Sequence, residues 1–391
     1  MSQMLSDRVS LLKPSPTLAL TAIVAELRKC GEDIISFGAG EPDFGTPGPI
    51  CEAGIQAISD GHTRYTASAG IPQLRTAIAD KLAKENGVTV APEQVIVSAG
   101  AKQSVFNALM TLCNPGDEVI LIAPYWMTYR DQITLAEATP VAVRTSVETG
   151  YVPSIDDLKA ATSSKTKAII VNSPSNPSGA VLPRGTLKEI AALAIRHDFH
   201  VISDEIYEKL TYGAEHISIA SLGSEIAERT VTVNGVSKAF AMTGWRIGYA
   251  AAPLPIAKGM SALQDQVTSN PASISQYAAL AALKMPFEPV RAMVEEFGCR
   301  RELILGELAK IPDVRCARPG GAFYAFPDVR AYLGGRTDLE LAAHLLENHK
   351  VACVPGSVFE GDGHLRLTYA LDRPQIVEGV RRISEGLESL T

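Results

Sequence analysis

The segment Ser237–Arg246 (SKAFAMTGWR) places a lysine, Lys238, shortly after the apolar run Thr230–Val233. A lysine at the end of a buried strand is partly withdrawn from water, which disfavours its ammonium form. The neutral amine is nucleophilic and suited to forming a Schiff base. Eight residues on, Arg246 offers a planar guanidinium suited to bidentate contact with a phosphate. Taken alone, such a pair is more often surface charge in a loop, so its meaning depends on its surroundings.

Three further segments supply those surroundings. In Val201–Tyr207 (VISDEIY), Asp204 closes a very apolar run, where an unpaired carboxylate would be costly to bury. A cationic partner such as a protonated pyridine nitrogen would account for it, and Tyr207 would then donate to an oxygen on the same ring. The competing reading makes Asp204 the N-cap of a short helix over Glu205–Lys209. In Asn172–Gly179 (NSPSNPSG), two X-Pro bonds specify an unusual backbone, with cis peptides among the options, that can aim Asn176 into a cleft. An ordinary Pro/Ser/Asn surface loop is the alternative. In Ser98–Gln103 (SAGAKQ), small residues between a strand and a helix let backbone N–H groups at Gly100, Ala101 and Lys102 approach an anion. It is neither a P-loop nor a G-x-G-x-x-G turn, so a dinucleotide site is poorly supported. Together the four segments provide an amine for an aldehyde, an anion for a ring nitrogen, donors for a phenolic oxygen and a cradle for phosphate. Those are the requirements of a pyridoxal 5'-phosphate site.

The elements that must position these residues alternate. Gln94–Ser98, Glu118–Ile122, Pro140–Val143, Ala168–Val171, His200–Ser203, Thr230–Val233 and Ile247–Ala251 read as buried strands, separated by helical patterns at Gln103–Leu112, Met127–Ala136, Leu187–Arg196 and Leu254–Thr268. This predicts an α/β fold with a mostly parallel seven-stranded sheet covered on both faces, and ligands beyond the carboxyl ends of the strands. From about Val290 the pattern changes to a long helix, the short runs Val314–Arg315 and Ala322–Phe326, a helix over Asp338–Asn348, the runs Val351–Val354 and His364–Tyr369, and a helix over Pro374–Leu387. We expect a large cofactor-binding domain over 45–290 and a smaller α+β domain from 1–44 and 291–391.

Composition narrows the classes. Hydrophobic residues make up 46% and charged residues 20%, with net charge −7 and no basic excess, which argues against a nucleic-acid partner. No apolar run reaches the length of a membrane span, and MSQMLSDRVS lacks the pattern of a secretory signal. The six cysteines fall in no metal-binding or C-x-x-C spacing, so no metal is expected and reduced thiols fit a cytoplasmic protein.

The same segments, with KPSPT at Lys13–Thr17, GAGEPDF at Gly38–Phe44, RYTASAGIPQLR at Arg64–Arg75, APYW at Ala123–Trp126 and HLRLTYA at His364–Ala370, resemble the fold-type I, class I/II aminotransferases over nearly the whole chain. The resemblance implies that Lys238 is the Schiff-base lysine and proton shuttle. It implies that Asp204 partners the pyridine nitrogen, that Asn176 and Tyr207 bond the phenolic oxygen, and that Trp126 stacks on the ring. Gly100, Ala101, Lys102 and Arg246 match the phosphate-binding set. Tyr65 resembles the tyrosine that reaches the neighbouring subunit's cofactor, implying a homodimer. Arg366 resembles the grip on the substrate α-carboxylate, with Gly40 closing over it, and Trp126 and Asn176 also face the substrate. The implied activity is ping-pong transfer of an amino group from aspartate or glutamate to 2-oxoglutarate or oxaloacetate. KPS and GAKQ resemble the bacterial subgroup in which lysines such as Lys13 and Lys102 read a second carboxylate, prephenate included. A carbon–sulfur lyase on the same scaffold and an aminotransferase with aromatic or other substrates are the rival readings. One departure is that many relatives carry Ser or Thr three residues before the lysine, whereas this chain has Gly235 there and Ser237 directly before Lys238.

Overall fold

The computed structural model describes residues 5–12 and 14–390. Among the described residues twelve strands form, in chain order: β1 (Ile35–Ser36), β2 (Val95–Ser98), β3 (Glu118–Ala123), β4 (Thr139–Arg144), β5 (Thr166–Asn172), β6 (His200–Asp204), β7 (Thr230–Gly235), β8 (Gly248–Ala251), β9 (Tyr324–Ala325), β10 (Val351–Ala352), β11 (Val354–Pro355) and β12 (Leu365–Thr368). Seven of them make the central sheet, in the order β2-β8-β7-β6-β5-β3-β4. All neighbours are parallel except β8, which is antiparallel to both β7 and β2. The seven runs expected from the sequence are therefore the seven strands, each displaced by no more than a residue or two at its ends.

Both faces of the sheet are covered, and the period-2 alternation of the strands divides their side chains between them. Ile170, Ile202, Leu121 and Val231 pack with helices Ala101–Leu112 and Leu254–Val267 in one core. Ile169, Val201 and Ile120 point the other way and pack with Leu187, Ile190 and Ala194 of helix Arg184–His197. Each such aliphatic side chain, fully buried, contributes about 1.5–3 kcal/mol relative to exposure.

The pairing register explains where chemistry can gather. Asn172 lies opposite Asp204, Asp204 opposite Val233, Gly235 opposite Gly248, and Gly248 opposite Ser98. The reversal of β8 brings its first residue, two after Arg246, to the same edge as the last residues of β5, β6 and β7. Every segment singled out in the sheet half of the sequence thus leaves from one end.

The C-terminal part differs from its expected elements in two places. The run Val351–Val354 is two short strands: β10 pairs in parallel with β1, and β11 pairs antiparallel with β12. Val314–Arg315 forms no strand, only a single bridge from Arg315 to Asp328. Helices Glu288–Leu308 and Arg373–Glu388 cover the sheet β11-β12-β9 and share a core with Ile35, Phe37, Ile206, Tyr207 and Leu210.

Candidate functional site

At the β2 edge the backbone itself is the first feature. Gly100 has φ +90, and a Cβ on it would lie 2.3 Å from Arg246 Nη2. A Cβ on Gly248 would lie 2.1 Å from the Ala101 nitrogen. Only glycine permits these approaches. They set the guanidinium of Arg246 against the start of helix Ala101–Leu112, which has no side-chain cap. Arg246, itself in the left-handed region at φ +54, donates to the Thr243 carbonyl at 2.8 Å and to the Ala99 carbonyl at 3.4 Å. Partial burial and the nearby Arg246 charge hold the Lys102 amine below its ordinary range, against the pull of Asp131. Two cations and a helix start in one corner form a receptor for an anion. The Lys102 ammonium also lies 4.8 Å from the centre of the Trp126 ring.

At the end of β6, Asp204 is buried, and its Oδ2 accepts a 2.6 Å hydrogen bond from the Tyr129 hydroxyl while Oδ1 accepts from the Ile206 N–H at 3.2 Å. Burial outweighs both bonds and raises the carboxyl to about 6. Residues 206–209 form a turn with Glu208 N–H bonded to the Glu205 carbonyl, so the helix that Asp204 would have capped does not form. Beneath that turn lies a cluster with no local signal in the chain. The Asn86 amide donates to Glu208 at 2.6 Å and to Glu205 at 3.2 Å, His216 Nε2 lies 3.2 Å from Glu205, and Lys81 contacts Glu208.

Lys238 sits in the turn after β7. Its Nζ donates to the Gly40 carbonyl at 2.5 Å and lies 5.8 Å from the Tyr207 ring and 5.9 Å from that of Phe323. Burial lowers its amine to about 8, Arg246 and Arg366 push the same way, and Glu41 and Asp204 oppose them.

Arg366, on β12, is only 2% exposed. Its Nη1 donates to Asn176 Oδ1 at 3.1 Å and its Nη2 to the Gly38 carbonyl at 2.9 Å, while its buried Nε has no hydrogen-bond partner among the described residues. The rings of Tyr324 and Phe359 lie 4.6 and 5.1 Å from the guanidinium carbon. No carboxylate bonds to this buried cation among the described residues, so it is fit to receive one from outside. Asn176 is held by its N–H bond to Asn172 Oδ1 at 2.9 Å, in a segment where Ser173-Pro174 and Asn176-Pro177 are both cis.

The structure thus gathers Lys238, Asp204, Tyr207, Asn176, Arg366 and Gly40 on one side, and Gly100, Ala101, Lys102, Trp126 and Arg246 beside them. Tyr65 is not gathered: it is 90% exposed. Lys13 lies outside the described residues. Tyr129 and Tyr324 belong to the site although the sequence did not single them out. Tyr129 was findable as the aromatic three residues beyond Trp126, whereas Tyr324 carries no local signal.

The raised carboxyl of Asp204 has a consequence for stability. Its folded value of about 6 exceeds its ordinary 3.8, so within that window the folded state binds more protons than the unfolded one. Stability of the cofactor-free protein then falls as pH rises through the window and stays lower above it. A gap of about two pH units corresponds to roughly 3 kcal/mol. Asp204→Asn is expected to stabilise the cofactor-free protein by up to that amount above the window and hardly at all below it, as read by urea unfolding at the two pH values. Equal effects at both would remove the carboxylate as the cause.

A carboxylate short of a cation, a lysine amine lowered toward neutrality and an anion corner, all at the ends of a doubly covered α/β sheet, describe a site for group transfer on a bound cofactor. The chain matches the family "aminotransferase class I and II" over residues 32–383 and belongs to it. The protein is therefore an aminotransferase that depends on pyridoxal phosphate. Among its relatives is a probable aspartate/prephenate aminotransferase of Aquifex aeolicus, 49% identical over 99% of both chains. An aspartate aminotransferase of Geobacillus stearothermophilus is 46% identical over 98% of this chain and 99% of its own. The solved aspartate aminotransferase from Thermus thermophilus with maleate superposes with a TM-score of 0.93 at 43% identity, covering 98% of this chain and all of that one. The residues fit the cofactor: an anion corner for its phosphate, a buried carboxylate for its ring nitrogen and an amine for its aldehyde lie together.

Proposed function

We propose that this aminotransferase moves the amino group of L-aspartate to 2-oxoglutarate, with glutamate and oxaloacetate in the reverse direction, and that it also accepts prephenate. The observation that carries the amino-acid part of the reading is the buried Arg366, which has no carboxylate partner and an unpartnered Nε among the described residues and is set within the same cluster as Lys238 and Asp204. The names of the relatives support aspartate and prephenate as substrates.

In this reading Arg366 grips the substrate α-carboxylate beside Asn176, and Gly40 lies over it. Asp204, Asn176 and Tyr207 would hold the ring nitrogen and phenolic oxygen of the cofactor, Trp126 would stack on its ring, and Gly100, Ala101, Lys102 and Arg246 would hold its phosphate. Ser237, buried beside Lys238, has no assigned part. When bound, pyridoxal phosphate supplies an aldehyde for the amine and a protonated ring that accepts electrons as the substrate's α C–H bond breaks. Lys238 Nζ takes the α-proton and returns it on the other side of the transfer, serving as base and then acid. An amine of about 8 suits both duties near neutral pH. Asp204 would keep the ring nitrogen protonated, and the Tyr129 hydrogen bond favours the ionised form of Asp204 against the pull of burial. Lys102 and Lys13 are the candidates for a second substrate carboxylate.

The same reading takes residues 45–290 as a cofactor-binding domain and 1–44 with 291–391 as a smaller one, supported by the shared core of Ile35 and Phe37 with the C-terminal helices. It takes the working form as a homodimer in the cytoplasm, with Tyr65 reaching the neighbouring site. The exposure of Tyr65, Ile55 and Ile58 supports such an interface, and no helix among the described residues is long and apolar enough to cross a membrane. The test is a coupled transamination assay with 2-oxoglutarate, comparing aspartate, tyrosine, phenylalanine and alanine as donors and adding prephenate as acceptor. Aspartate is expected to lead. Pyruvate and ammonia released without an oxo-acid acceptor would replace the reading with a lyase.

A further inference from the structure

We propose that Tyr324 is a positioning residue for this reaction, whose hydroxyl directs the proton of Tyr207 toward the cofactor while its ring supports Arg366. The inference rests on the part given to Tyr207 above and extends it to a residue with no expected role.

Tyr207 and Tyr324 are both buried, with hydroxyls 3.0 Å apart and ring centres 5.9 Å apart in an edge-on arrangement. A phenol has one proton to give and lone pairs to receive with. The Tyr324 hydroxyl has no other hydrogen-bond partner among the described residues. If Tyr207 gives its proton to the cofactor's phenolic oxygen, its own oxygen can only accept, and Tyr324 must be the donor. A hydroxyl that accepts a hydrogen bond also donates a stronger one. Tyr324 therefore removes the choice of where the Tyr207 proton points and strengthens the bond it makes.

The position of Tyr324 ties this to substrate binding. It stands on β9 opposite Thr368, two residues beyond Arg366 on β12. Its ring centre is 4.6 Å from the Arg366 guanidinium carbon. Its hydroxyl lies 3.5 Å from where a Cβ of Gly40 would be, and the Gly40 carbonyl receives Lys238. One side chain thus lies against the carboxylate grip and the tyrosine that faces the phenolic oxygen, with its hydroxyl beside Gly40.

The test is a pH titration of the near-violet absorbance of the holoenzyme, with steady-state kinetics and a melting curve alongside. Tyr324→Phe deletes the donor and keeps the ring. Weaker support for the ionised phenolic oxygen is expected to raise the titration midpoint by about 0.5 pH unit. In the same variant kcat should fall several-fold with the KM for aspartate little changed. Tyr324→Leu, which also removes the ring, is expected to raise that KM as well. 3-Fluorotyrosine at position 324, a stronger donor of nearly the same shape, should move the midpoint down, and it decides the matter even if the phenylalanine variant does not fold. A lowered melting temperature with an unmoved midpoint in both variants would reduce Tyr324 to packing. Tyr207→Phe separates the two levels: if it moves the midpoint and the Tyr324 changes do not, this inference fails alone. If none of the changes moves it, the part given to Tyr207 fails with it.

Discussion

Replacing Lys238 with alanine is expected to lower kcat for transamination by about 10²–10⁴-fold, the range that general acid–base catalysis contributes. The size follows from the absence of a substitute. The amine lies over the Tyr207 and Phe323 rings and, among the described residues, bonds only the Gly40 carbonyl. Asp204 is already bonded to Tyr129 and committed to the ring nitrogen in the proposed arrangement. The neighbouring arginines do not lose protons in the working range. The near-violet absorbance of the protein-bound cofactor should disappear in the same variant, because no lysine remains at the aldehyde. Small primary amines added to the assay are expected to restore part of the rate, since the space left by the side chain adjoins the reacting carbon. Unchanged absorbance, or a rate within tenfold of the parent, would sink the assignment of Lys238. The amine's lowered value of about 8 also gives a sign for pH dependence. Where the neutral amine is needed, kcat should rise with pH up to that value and level off beyond it.

Arg366→Ala is expected to lower kcat/KM about 10²–10³-fold for aspartate, phenylalanine and alanine alike. Truncating one partner of a buried, hydrogen-bonded charge pair costs about 2–5 kcal/mol, and the carboxylate left behind would face Asn176 and apolar rings with no cation. Uniformity across donors is the diagnostic, because every amino acid carries the α-carboxylate. Arg366→Lys should recover only part of the loss: an ammonium is a point charge and cannot offer the planar fork that Nε and the Nη groups present. Stopped-flow binding of each donor and steady-state kinetics would read the effect. A loss confined to dicarboxylate donors would mean that Arg366 reads the distal group and that another cation holds the α-carboxylate.

Much of the sheet could be read from the chain alone, because its strands are short, Val- and Ile-rich and bounded by breakers. Ile169 and Ile170, or Val201 and Ile202, can point to opposite covered faces only if helices lie on both sides. The candidate residues Lys238, Asp204 and Asn176 were legible for the same local reason: each follows an apolar run closely, and a polar group at such a place needs an explanation. The C-terminal elements were harder. A pair of two-residue strands such as β10 and β11 has too little length for periodicity to show, and Arg315 becomes part of a bridge only by meeting Asp328.

What the residue types and spacing determined by themselves, then, was the kind of chemistry and the class of fold: a lysine, a carboxylate and a phosphate cradle at strand ends. The tertiary structure decided the electrostatics and the partners. Burial raises Asp204 to about 6 and lowers Lys238 to about 8, values no spacing could supply, since they depend on what water is excluded. Tyr129 reaches Asp204 across 75 residues of chain and Tyr324 reaches Tyr207 across 117. Contacts over such separations are set by sheet order and by the register of β9 on β12. Only folding brings them into one place.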